Sequence, residues 1–121
     1  MSRGQVTGIG SHPLVEVGAH TVGHGCLGDM DVTAQRGEIQ RSRAELLSII
    51  GPKVTCFSYP NGSFSDETPG LVRDAGFECA CTSAEGVYRG GGDPYLMPRI
   101  WVPDIGGVEF DAWLSPWVGR G

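Results

Sequence analysis

Leu14-Val15-Glu16-Val17-Gly18-Ala19-His20-Thr21-Val22-Gly23-His24 decides how the rest of the chain is read. Val15 and Val17 share one face of an extended segment and Gly18 interrupts it, so residues 14–19 are expected to form a short strand. His20 and His24 follow at once, four positions apart. On one helical turn that spacing brings Cβ atoms within about 5–6 Å. Two imidazoles so placed can meet one borderline cation such as Zn²⁺. Their position after a strand matters too, because open parallel α/β sheets put their sites at the carboxyl ends of strands. His12 precedes the strand and falls at its opposite end. Spacing alone leaves a second reading open, two ordinary loop histidines.

Working outward, residues 33–50 read as a helix. Thr33 can cap it, Gly51-Pro52 stops it, and Ile39, Leu46, Leu47 and Ile50 form one apolar stripe. Residues 54–59 are β-branched and aromatic and end at Pro60, a second strand. Ser65 can cap a helix running to Asp74, with Pro69 tolerated in its first turn and Gly76 ending it. Strands are expected at 77–82 and 99–102, and a short helix at 108–114. Alternating strands and helices argue for an α/β fold with mostly parallel strands.

Composition excludes several classes. The 121 residues make one small domain, with 40% hydrophobic residues and 20 glycines. The net charge is −5 and Lys53 is the one lysine among scattered arginines, so no basic surface exists to track nucleic acid. No apolar run approaches the roughly 20 residues of a membrane span. Met1 to Val6 lacks the apolar stretch of a signal peptide, so a cytoplasmic location is the default expectation. Cys26, Cys56, Cys79 and Cys81 show no CxxC spacing and are expected to be buried thiols, with Cys79 and Cys81 on one face of a strand.

A second local feature is Phe57-Ser58-Tyr59-Pro60-Asn61-Gly62. A strand ending in Pro and a tight turn leaves backbone N–H groups unpaired at its tip, where they can hold a developing oxyanion. A plain strand-to-helix turn reads the same way. Together, the His-Thr-x-x-His segment and this turn resemble the NodB-type polysaccharide deacetylases, carbohydrate esterase family 4. The likeness extends through Leu71-Val72-Arg73-Asp74-Ala75-Gly76-Phe77 and Asp93-Pro94-Tyr95-Leu96-Met97-Pro98-Arg99-Ile100, covering about residues 13–113 in order.

The resemblance implies a partial (β/α) barrel of the NodB-homology type and metal-dependent removal of N- or O-acetyl groups from carbohydrate, often N-acetylglucosamine units. It makes His20 and His24 ligands of Zn²⁺ or another divalent metal. Thr21 would support them by hydrogen bonding, and the Asn61 backbone N–H would polarise the acetyl carbonyl. Tyr59 and Pro60 would shape the substrate groove. Two parts of the family pattern are missing from these residues. No Asp-Asp strand precedes His20, and no histidine follows His24 to act as general acid. Residues 1–121 are therefore expected to be a single incomplete domain, holding metal weakly and inactive alone, its open sheet edges allowing homo-oligomers. Asp29 and Asp31 are the nearest substitute carboxylates, although solvated loop positions suit them better. The alternative is a non-catalytic carbohydrate-binding or interaction remnant whose Tyr59, Tyr95 and Trp101 stack on sugars.

Overall fold

The core of the fold is three parallel strands in the order β1-β2-β3: β1 is Cys56–Ser58, β2 Cys79–Glu85 and β3 Met97–Arg99. The computed structural model describes residues 1–118. Four helices accompany the sheet: α1 (Arg3–Gly10), α2 (Val32–Ile50), α3 (Thr68–Asp74) and α4 (Gly107–Leu114). Single turns of 3-10 helix occupy Leu27–Asp29 and Pro60–Gly62. The mixed α/β order and parallel sheet are those of the expected partial barrel.

Alternation of side chains divides the sheet into two faces. Phe57 and Ala80 are buried in one cluster with Ile39 of α2 and Leu71 and Val72 of α3. Tyr59, Phe57 and Phe77 extend that cluster through ring contacts with centroids 5.3–5.4 Å apart. The other face carries Cys56, Ser58, Cys79 and Cys81, all half-buried. The cysteines are thus less enclosed than expected.

Several boundaries differ from the sequence reading. Residues 14–19 are not a full strand. Only Ala19 bridges, in parallel, to Phe57, while Leu14 and Val15 remain exposed. The preceding residues form a turn, with Val15 N–H donating to His12 C=O at 3.1 Å, and Glu16 meets the approach to β1 through its side chain, accepting the Thr55 hydroxyl at 2.6 Å. Asp31, not Thr33, caps α2, accepting the Ala34 N–H at 2.9 Å. Helix α3 starts at Thr68 because Ser65 and Thr68 close a turn first, with Thr68 N–H donating to Ser65 C=O at 3.2 Å. The expected strand at 99–102 ends where it should begin: β3 stops at Arg99, and Trp101 is 81% exposed. Helix α1 had no counterpart in the sequence reading. Three of its eight residues are glycine and none is buried, yet Ser2 and Gln5 close a capping box at its start.

A polar knot ties the two central helices together inside the core. Gln35 is 1% exposed and Thr68 0%. Thr68 Oγ1 donates to Gln35 Oε1 at 2.6 Å and accepts the Ser65 N–H at 2.8 Å. Gln35 Nε2 donates to Met30 C=O at 3.0 Å. Removing one partner of such a buried pair leaves the other unsatisfied. Thr68→Val should therefore destabilise the chain by about 1–3 kcal/mol in urea unfolding. A change within error would mean that the knot is not formed.

Candidate functional site

Two backbone hydrogen bonds set the position of the histidine segment. Ala19 N–H donates to Cys56 C=O, and Ser58 N–H donates to Ala19 C=O, both at 2.9 Å. Gly18 permits this approach, since a Cβ there would lie 3.0 Å from Cys56 O. His20 then leaves the bridge at the carboxyl end of β1. Its Nδ1 lies 2.7 Å from Ser58 O. A carbonyl only accepts, so Nδ1 carries the proton and Nε2 keeps its free lone pair.

The segment from His20 to His24 is a tight turn, not the helical turn on which the spacing argument rested. Thr21 and His24 both sit in the left-handed region, at φ 63 and 55. That turn still brings the rings together, with centroids 4.8 Å apart and planes at 68°. Thr21 Oγ1 accepts the His24 N–H at 3.0 Å and so holds the turn closed. Glu38 of α2 holds it from behind: Oε2 accepts the N–H groups of Val22 at 2.9 Å and Gly23 at 2.7 Å, while Oε1 pairs with Arg41 at 3.1 Å. Sequence reasoning missed Glu38 in this role. Its one signal was an acid on the helix that follows the histidines.

The tip of β1 lies beside the histidines, linked to His20 through the Ser58 carbonyl. Pro60 is buried and Asn61 adopts φ 54. Among the described residues the Asn61 N–H donates to no protein acceptor, whereas Gly62 N–H reaches Tyr59 C=O and Ser63 N–H reaches Pro60 C=O. Asn61 Nδ2 lies 3.5 Å from Cys26 Sγ, a weak contact from the tip to the loop after His24. Glycine is required at 62, because φ is +67 and a Cβ would meet Ser83 Oγ at 2.7 Å.

Some expected site residues stand elsewhere. Tyr59 is 1% exposed, its ring is in the core and its hydroxyl donates to Tyr95 C=O at 2.7 Å. Burial pushes that phenol well above its usual range, so it stays a neutral donor. Its side chain is therefore a packing group rather than a groove wall. Tyr95 is half-buried with its hydroxyl on Phe77 C=O, and Trp101 stands alone in solvent, so the three aromatics do not form one sugar platform. Asp31 is occupied as a helix cap, and Asp29 is exposed in its own turn. No group of three His, Cys, Asp or Glu side chains suited to a metal exists among the described residues. The imidazole pair fits as two ligands of a metal, and nothing described here adds a third.

A cleft of about 280 Å³ opens beside His20 and Thr21, walled by Leu46 and Ile49 of α2. A larger cavity, about 490 Å³, lies at the other end of the sheet among His12, Glu16, Lys53 and Thr55. Size alone would favour the second. Of the candidate site residues, His20 and Thr21 line the first, while Asn61 lines a separate cavity of about 360 Å³ with Gly62, Phe64 and Thr82.

Glu38→Ala should free two backbone donors and the Arg41 charge, destabilising the chain by about 1–3 kcal/mol. Glu38→Gln, which keeps an acceptor oxygen, should cost less. Urea titrations of both variants check the order, and equal losses would deny Glu38 its hold on the turn.

The comparisons with known proteins bear on the family and the fold. A family model described as polysaccharide deacetylase matches residues 2–80. The Bacillus subtilis protein named "Putative polysaccharide deacetylase YxkH" is 24% identical over 102 residues, covering 84% of this chain and 37% of its own length. A polysaccharide deacetylase from Bacillus cereus superposes with a TM-score of 0.78 at 22% identity, over 93% of this chain and 36% of that one. A Streptococcus pyogenes deacetylase, solved in complex with acetate, superposes with a TM-score of 0.64 at 23% identity, over 67% of this chain and 36% of that one. This chain thus spans little more than a third of these relatives. With the family model covering well over half of its residues, the chain belongs to the polysaccharide deacetylase family.

Proposed function

We propose that this chain carries the histidine half of a metal-dependent deacetylase site acting on N- or O-acetyl groups of carbohydrate, N-acetylglucosamine units among them. The observation that carries the reading is the imidazole pair, 4.8 Å apart, beside an unpaired backbone N–H at the tip of β1. His20 and His24 are the ligands, held by Ser58 C=O, Thr21 and Glu38. A divalent cation bound there, Zn²⁺ being the usual partner of imidazole, would lower the pKa of a bound water toward about 7 and supply a nucleophile at neutral pH.

The chain's own residues do the rest. Ser58 C=O fixes the tautomer and the ring plane of His20. The Asn61 N–H is free to donate to an acetyl carbonyl oxygen as negative charge builds on it. Pro60 keeps the tip rigid, being buried against the core. Hydrolysis also needs a base for the water and an acid for the leaving amine or alcohol. The carboxylates near the histidines are otherwise engaged or exposed: Glu38 accepts the N–H groups of the turn, Asp31 caps α2, and Asp29 is exposed in its own turn. The reading is therefore of a site that holds metal weakly and turns over poorly in this chain, and that other residues must complete.

Calorimetric titration with Zn²⁺ should give weak binding that falls at least about tenfold in His20→Ala and in His24→Ala, since losing even a residue that only orients a ligand costs about that much. Asp29→Asn should leave it unchanged. Acetate release from an N-acetylglucosamine oligomer with zinc present should stay near background. Robust release that is lost in His24→Ala would show that Asp29 or Asp31 serves as the base after all. Zinc binding indifferent to both histidines would overturn the site.

A further inference from the structure

The half-buried face of the sheet carries a pair of thiols that the deacetylase reading does not use. Cys56 of β1 and Cys79 of β2 are register partners on adjacent parallel strands. Their sulfurs lie 2.8 Å apart, closer than ordinary packing places two thiols, and both cysteines are free. Adjacent strands run about 4.7–4.9 Å apart, inside the Cα separation of roughly 4.4–6.8 Å that a disulfide spans. Both side chains are half-buried, so a small reagent can reach them. Cys81 lies on the same face but faces Ser58, and Cys26 lies away on the loop beside Asn61. Neither has a register partner with a thiol.

We infer that Cys56 and Cys79 form a redox-sensitive staple, a dithiol that a small disulfide such as oxidised glutathione converts to a cross-strand disulfide.

The exchange balances in two steps. The Cys56 thiolate attacks one sulfur of oxidised glutathione. A Cys56–glutathione bond forms, the glutathione S–S bond breaks, and one glutathione thiolate leaves. Cys79 then gives up its proton and attacks the Cys56 sulfur, forming the Cys56–Cys79 bond and expelling the second glutathione thiolate. The two cysteines lose two electrons and two protons, and one glutathione disulfide becomes two glutathione thiols. Cys79 suits the second role. Burial, then its contact with Cys56, pushes its thiol up, so it waits for a neighbouring mixed disulfide rather than attacking first. The staple would join strands 23 residues apart in sequence, directly below the Ser58 carbonyl that orients His20.

The test is mass spectrometry of the 121-residue chain after incubation with oxidised glutathione, followed by alkylation and proteolysis. The expected product has lost two hydrogens, resists alkylation at two thiols, and yields a peptide joining Cys56 to Cys79. Thermal unfolding should shift upward on oxidation and return with reductant. Cys56→Ser and Cys79→Ser should each abolish both effects while Cys26→Ser keeps them. A stable glutathione adduct on Cys56 with Cys79 still alkylated would overturn the staple. So would a disulfide drawn from Cys26 or Cys81. Circular dichroism matching that of the parent chain confirms that a serine variant has lost the bond and not the fold.

Discussion

Everything at the candidate site hangs on one narrow attachment, the pair of backbone hydrogen bonds that joins Ala19 to β1. They are the only ladder bonds the residue 14–19 segment makes, yet they fix the height at which the chain crosses the end of the strand. His20 is aimed by Ser58 C=O because of them, and the turn to His24 begins there. Glycine at 18 is the condition for the attachment, since a side chain would press on the Cys56 carbonyl. So short a bridge gives little stability by itself. The turn is instead braced by Glu38 from α2, and α2 is braced by the Gln35–Thr68 knot to α3. The site is thus carried by helix packing as much as by the sheet.

Part of this was legible in the sequence because the signals were local. The apolar stripe from Ile39 to Ile50 and the stop at Gly51-Pro52 gave α2 nearly to the residue. The strand before Pro60 and the His-Thr-x-x-His segment gave the family and the end of the sheet to watch. The rest depended on partners distant in sequence. Residues 14–17 have strand character but no neighbour to pair with, so they stay out of the sheet. Tyr59 looked like a groove aromatic, yet the alternation that buries Phe57 buries Tyr59 too. Glu38 could not be recognised as the brace until the turn at 20–24 was seen to present two donors toward it.

The two histidines also show why a spacing rule can give a useful answer by the wrong route. Four-residue spacing brings side chains together on a helix, where they stack one turn apart. The chain instead places Thr21 and His24 in left-handed conformations and folds the segment back on itself. The rings converge because the turn is tight, and it is tight because Thr21 and Glu38 take up its backbone donors. The same economy governs the tip at Asn61, where positive φ and the close approach to Ser83 leave one N–H outward.

In the proposed function, His20 and His24 together ligate one metal ion. Zinc K-edge X-ray absorption of the zinc-loaded chain tests it most directly, because scattering from imidazole rings is distinct from that of sulfur or carboxylate. The expected spectrum shows two imidazoles at about 2.0–2.1 Å, with the remaining positions filled by oxygen. A spectrum dominated by sulfur at about 2.3 Å, or one with no imidazole scattering, would contradict it and move the metal to the cysteines.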